Sequence, residues 1–172
     1  MRVISGKYKG KMINGFNING TRPTMDRVKE SLFGMIQNEI NNSICLDLFA
    51  GSGSLGIEAL SNGAKECYFV DNNMEIIKIL KTNLEKIDNY VIIKDDFENF
   101  LKTTNQKFDI IFLDPPYKLN LITKAIDIIV QKELLNENGL IICEYENESI
   151  ITDLELIKEK KYGSKNIKIF KK

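Results

Sequence analysis

From residue 43 onward the chain alternates between short apolar runs and stretches with helical spacing. The apolar runs lie at 44–48, 66–70, 90–94, 108–114 and 139–144. They are short and rich in Ile, Val, Phe and Cys, as strands buried on both faces are. The stretches between them, 55–62, 74–86, 97–103 and 119–132, read as helices. Strands joined by crossover helices run parallel, with helices on both faces of the sheet. The tail breaks the pattern: 153–161 and 165–171 flank Tyr162-Gly163-Ser164, a hairpin signal. The predicted fold is therefore α/β, a doubly wound and mainly parallel seven-stranded sheet whose last strands form a hairpin.

Residues 1–20 read differently. Short strands at 2–5 and 11–13 flank Gly6 and Gly10, and Asn14-Gly15 and Asn19-Gly20 are turn signals. This predicts a β-hairpin extension over 1–23 ahead of a catalytic core over 24–172, all within one domain of 1–172. A helix is expected to follow, with Thr24 as its N-cap. Val28, Leu32, Met35, Ile36 and Ile40 then recur at helical spacing. The chain is expected to be a cytoplasmic monomer, with no apolar run near the roughly 18 residues of a membrane span. Its first seven residues also lack a signal peptide's apolar core.

Cys45, Cys67 and Cys143 sit in strand-like runs, none at metal spacing, and there is no histidine. Buried thiols are expected, with no metal site and no imidazole base. Net charge is zero, but residues 1–29 hold seven basic residues against Asp26 alone, a local balance of +6. A basic arm on an acidic body points to a polyanion at one edge.

Two loops carry the chemistry. Gly51, Gly53 and Gly56 form G-x-G-x-x-G between the first strand and its helix. Asp71 stands 20 positions after Gly51, where a carboxylate can grip ribose hydroxyls. Asp47, just ahead of the glycines, would repel a pyrophosphate and attract an ammonium. This favours S-adenosylmethionine over a nicotinamide dinucleotide. Asp95-Asp96-Phe97 offers a carboxylate for an adenine amine and a ring to lie against the base, with Asp96 the expected ligand and helix N-cap. The second loop is Asp114-Pro115-Pro116-Tyr117. Proline cannot donate to a sheet ladder, so the strand must stop at Asp114. A stiff turn follows at the strand's carboxyl end, where ligands sit in open α/β sheets. A carboxylate and proline-fixed carbonyls only accept hydrogen bonds, and beside a flat ring they suit a planar substrate bearing an NH2 group.

The glycine loop, the spaced acid and Asp114-Pro115-Pro116-Tyr117 together resemble a class I adenosylmethionine-dependent amino-methyltransferase. Three stretches narrow the likeness: Met1-Arg2-Val3-Ile4-Ser5-Gly6-Lys7-Tyr8-Lys9-Gly10-Lys11, Thr21-Arg22-Pro23-Thr24-Met25-Asp26-Arg27-Val28-Lys29-Glu30-Ser31-Leu32-Phe33, and the run from Asp47 to Leu60. These resemble the ribosomal small-subunit RNA methyltransferase D family. The resemblance implies methyl transfer to the exocyclic 2-amino group of a guanine in 16S ribosomal RNA, free or within a small-subunit assembly particle. It implies Asp114, Pro115, Pro116 and Tyr117 as the catalytic turn. It implies Asp47, Phe49, Gly51, Gly53, Asp71, Asn72, Asp96 and Phe97 around the cofactor. Lys7, Lys9, Lys11, Arg22 and Arg27 are the expected RNA contacts. Three features depart from the family pattern: Ser5 replaces a frequent second glycine, lysines replace arginines in the arm, and Ser164-Lys165 replaces an acidic-hydroxyl pair.

Other readings meet obstacles. A DNA adenine methyltransferase needs a recognition module for which the chain lacks length. A protein glutamine methyltransferase usually carries Asn before Pro-Pro. A dehydrogenase needs a substrate domain and a proton relay. A silent RNA-binding assembly factor has no need of an intact Asp114 turn.

Overall fold

The computed structural model describes residues 1–15, 22–116 and 120–172, the side chains of 22–25 excepted. Seven strands form one sheet in the order β3-β2-β1-β4-β5-β7-β6. They are β1 (Ile44–Asp47), β2 (Glu66–Asp71), β3 (Tyr90–Lys94), β4 (Phe108–Leu113), β5 (Leu135–Tyr145), β6 (Glu155–Tyr162) and β7 (Lys165–Lys171). The first five run parallel, and β7 lies antiparallel between β5 and β6. The predicted fold class holds, including the closing hairpin.

Alternate side chains of each strand enter opposite cores, as a pleated sheet requires. Cys45, Ile110 and Phe112 face one core. That core takes in α1 (Arg22–Met35), α2 (Gln37–Ile40), α3 (Ser54–Ser61) and α4 (Met74–Asn83). Leu46, Ile111 and Leu113 face the other, against α5 (Phe97–Thr103) and α6 (Leu121–Gln131). The three cysteines are buried free thiols, and burial pushes Cys45 up to about 12.

Three boundaries differ from expectation. The first helix begins at Arg22, so Thr24 lies inside it rather than capping it. Proline's fixed φ suits a first helical turn, which lets Pro23 sit there. The periodic run also does not make one helix to Ile40: Ile36, at φ −117 and ψ 13, separates α1 from α2. β5 starts earlier than expected because its pairing jumps from Phe108↔Leu135 to Ile110↔Leu140. The polar 136–139 segment is a bulge within the strand, not the loop its composition suggests.

The N-terminal arm is an antiparallel loop with a single bridge, Arg2↔Met12. Val3 and Ile13 are buried in the first core. Glu58 of α3, fully buried, accepts from Ile4 N at 2.9 Å and Ser5 N at 2.9 Å, and pairs with buried Lys29 at 3.1 Å. Lys29 also donates to Arg2 O at 2.6 Å, so one buried ion pair ties the arm to α1 and α3. Ser5 uses its departure from glycine, with Oγ 2.8 Å from Asn62 Oδ1. Gly6 cannot change: a Cβ there would lie 1.8 Å from the Ser61 carbonyl oxygen.

Candidate active site

All five parallel strands meet an acid at the same edge of the sheet. Asp47 ends β1 and Asp71 ends β2. Asp95 and Asp96 follow β3, Asp114 follows β4, and Glu144 is the penultimate residue of β5. They floor a cavity of about 590 Å³, within the usual range for small-molecule sites. Asp26, Val28, Lys29 and Leu32 of α1 form part of its wall. Seven carboxylates line it against two lysines, Lys29 and Lys165. Such a surface repels phosphate and attracts cations and N–H donors.

On the β1–β3 side the acids are held by backbone amides. Asp47 Oδ2 accepts from Gly56 N at 3.0 Å. Burial pushes this carboxyl up to about 7, with Asp71 adding to the rise and the Gly56 bond opposing it. Asp71 accepts from Gly51 N at 3.1 Å and Asn73 N at 3.0 Å, locking the glycine turn to the end of β2. Asp96 caps α5 by accepting from Glu98 N at 2.9 Å. The Phe49 and Phe97 rings stand 5.1 Å apart at the same edge. Gly53 is the N-cap of α3, with its own N–H on Ala50 O. At Gly56 a Cβ would come within 2.3 Å of the Phe69 ring, so only glycine lets α3 lie this close to β2.

The β4–β5 side is built differently. β4 is buried almost throughout, Pro115 is buried and Pro116 is exposed. Asp114, half-buried at the cavity, is pushed well above the usual carboxylate range. Burial is the main cause and neighbouring Glu144 the next, opposed by Lys165, with Asp47 adding a little. Glu144 is 8 % exposed and forms an ion pair with Lys165 from the start of β7.

A family described as conserved hypothetical protein 95 matches residues 1–171. The ribosomal RNA small subunit methyltransferase D of Haemophilus influenzae is 37% identical, over 99% of this chain and 93% of its own. Its Escherichia coli K12 namesake is 33% identical, over 87% and 76%. Among solved structures, the Escherichia coli protein yhhF superposes with a TM-score of 0.89 at 30% identity, covering 100% of this chain and 97% of its own. The Haemophilus influenzae protein HI0767 gives 0.84 at 35%, covering 99% and 97%. This chain belongs to the ribosomal RNA small-subunit methyltransferase D family. It is a methyltransferase, and its cofactor is S-adenosylmethionine.

The acid-lined cavity fits that cofactor, which is cationic and carries no phosphate. Asp26 Oδ1, buried and without a hydrogen-bond partner among the described residues, adds one more acceptor in need of a donor. Of the expected methyltransferase residues, Asp47, Phe49, Gly51, Asp71, Asn72, Asp96, Phe97, Asp114 and Pro116 line this one cavity. Gly53, the N-cap of α3, and buried Pro115 do not line it, and Tyr117 lies outside the described residues. Among the described side chains, the expected RNA contacts Lys7, Lys9, Lys11 and Arg27 do not line it. Lys7 pairs with Asp88 at 3.4 Å, Lys11 donates to Glu85 O at 2.9 Å, and Lys9 and Arg27 are exposed. The Arg22 side chain is outside the described set. Sequence reasoning missed Glu144, Lys165, Lys29 and Glu58. Glu144 had a signal, because it interrupts an apolar strand at the same end as Asp47, Asp71 and Asp114. Lys29 and Glu58 had none, since a charge within an amphipathic helix reads as a solvated face.

Proposed function

We propose that this protein transfers a methyl group to the exocyclic 2-amino group of a guanine in 16S ribosomal RNA, either free or in an assembling small subunit. The reading is carried by Asp114, a carboxylate on a proline-stiffened turn facing the same cavity as the glycine loop. Relatives named for methylation of small-subunit ribosomal RNA support the substrate class.

A guanine amine is a weak nucleophile because its lone pair is delocalised into the ring. Asp114 and the Pro115 carbonyl each accept one N–H, which orients the nitrogen and turns its lone pair out of conjugation. Bound adenosylmethionine supplies an electrophilic methyl group on a positively charged sulfur. Asp71 holds its ribose, Asp96 its adenine amine, Asp47 its ammonium, and Phe97 the face of the base. Orientation of this kind is worth roughly 7–11 kcal/mol in favourable cases. The positive charge developing on nitrogen is stabilised by the same acceptors, and the excess proton leaves through Asp114 or water. Tyr117 stacks on the base, for about 1–3 kcal/mol. The guanine reaches the cavity by leaving its own stack.

The decisive experiment offers small subunits from cells lacking the protein to the pure enzyme with tritiated cofactor. The label is then mapped. Incorporation at a single guanine N2 is expected. Label on another atom or on protein refutes the substrate, and no label at all refutes the activity.

A further inference from the structure

Two stretches of the chain are strongly basic, and the tip of the N-terminal arm lies away from the cavity. Residues 158–172 hold seven lysines against Glu159 alone, matching the +6 of residues 1–29. The tip of the N-terminal arm binds the far end of the sheet. Lys7 N donates to Ser61 O just before β2, and the Lys7 side chain meets Asp88 just before β3. These sites precede parallel strands whose other ends form the cavity floor, so about 20 Å of strand lies between them at 3.3 Å per residue. The turn between β6 and β7 lies at the cavity end, because Asn166 pairs with Tyr145 and Lys165 reaches Glu144.

The β6 lysines that face α1 meet neutral groups there. Lys158 donates to Met35 O at 2.6 Å and Lys160 to Ser31 Oγ at 3.0 Å, both neutral acceptors. Glu159 and Lys161 alternate onto the opposite face of the sheet, where Glu159 is taken by Lys168 at 3.6 Å. On α1, Met35, Ser31 and exposed Arg27 are four residues apart and form one stripe. Lys158, Lys160 and Arg27 therefore make a row along α1, the helix that also walls the cavity. Lys7, by contrast, pairs with the carboxylate of Asp88.

We infer that the substrate RNA's sugar-phosphate backbone lies across the face formed by β6 and the outer stripe of α1, with Lys158, Lys160 and Arg27 as its phosphate contacts. This rests on ribosomal RNA being the substrate. An acidic cavity behind a basic rim sorts one molecule by its parts: phosphates stay on the rim, and a base with N–H donors enters. Lysines on an edge strand also discourage another chain from pairing with it, and the experiment separates the two roles.

Binding of 16S RNA to the full-length protein is measured over a range of potassium chloride concentrations. Lys158→Gln/Lys160→Gln and, away from the edge strand, Arg27→Gln are compared with Lys7→Gln/Lys9→Gln. Cofactor affinity serves as the check on folding. Each rim residue lost should lower the slope of log affinity against log salt by about 0.7–0.9. The arm pair should lower it less. A wild-type slope in both rim variants, with cofactor affinity intact, overturns the surface and leaves the RNA reading standing. So does self-association of the edge-strand variant with unchanged RNA affinity. A wild-type protein without salt-dependent RNA binding sinks the RNA reading, and the surface with it.

Discussion

The two halves of the cavity floor hold their carboxylates by different means. Under β1–β3, Asp47, Asp71 and Asp96 each accept from a backbone amide of the loop or helix that follows, and Asp71 also from Gly51 N of the glycine turn. Under β4–β5, Asp114 and Glu144 face each other, and a lysine side chain from β7 supplies the balancing charge. Backbone donors cannot rotate away, so the first half is a fixed grip suited to an invariant ligand. The second half is poised: its acids repel each other, and the balance shifts with any added charge. A positively charged ligand and an amine-bearing base both relieve that repulsion. On the proposed function the first half binds the cofactor and the second does the chemistry, a division that variants of either half can break.

The largest effect is expected at Asp114. Asp114→Ala should lower methyl transfer to small subunits by at least about 10²–10³-fold, the loss seen when one preorganised hydrogen-bonding group is removed from a transition state. Calorimetry should find cofactor affinity near wild type. Retained turnover would remove Asp114 from the chemistry, and a parallel loss of cofactor affinity would erase the division between the halves.

Asp71→Ala is the mirror case. Hydrogen bonds to charged groups are worth about 1.5–3 kcal/mol, so cofactor affinity should weaken by roughly tenfold or more. Turnover at saturating cofactor should change far less. If the variant instead loses turnover while keeping its affinity, Asp71 does not grip the ribose.

The grip was legible in sequence because it is local. Gly51, Gly53 and Gly56 occupy a single turn, and Asp71 follows at the next strand's end, so hydrophobic period and glycine spacing sufficed. The poised half was only half legible. Asp114 announced itself through two prolines, but Lys165 reaches Glu144 from a strand 21 residues away. No local pattern says that β7 inserts beside β5 rather than at the edge. The arm's placement was not legible for a related reason. Its lysines are basic by composition, yet Asn83 Oδ1 accepts from Asn14 N at 2.8 Å and Glu58 accepts from the amides of Ile4 and Ser5. Those contacts bind its backbone to α3 and α4. Composition could not say which end of the sheet its tip would face.

A third prediction concerns stability and singles out Asp47. In the folded chain its carboxyl holds a proton up to about 7, against an ordinary 3.8. A group whose folded value is raised gives its full contribution below the unfolded value and loses it as pH rises through the folded one. Stability should therefore fall between pH 3.8 and about 7, by at most about 1.4 kcal/mol per unit from this group. Asp47→Asn should flatten that slope in denaturant titrations, whereas adding cofactor should flatten it by favouring the ionised form. An unchanged slope in the variant would mean that the acid is already ionised in the empty cavity.

The smallest effect, and the one that most sharpens the contrast, lies at Lys165. Protonated, Asp114 offers a hydroxyl donor to an amine that itself needs acceptors. Turnover should therefore climb with pH as Asp114 ionises. Three charged groups act on it: Glu144 from β5 and Asp47 from β1 hold the proton on, and Lys165 from β7 draws it off. Lys165→Met removes the only one of these that favours ionisation and leaves Glu144 without its ion-pair partner. The rising limb of the turnover profile should move to higher pH, with the plateau close to wild type, and Lys165→Arg should move it back. A variant that lowers turnover equally at every pH would make Lys165 a packing or RNA-binding residue. In that case Asp114 owes its ionisation to the bound cofactor alone, and the two halves of the floor are electrically one.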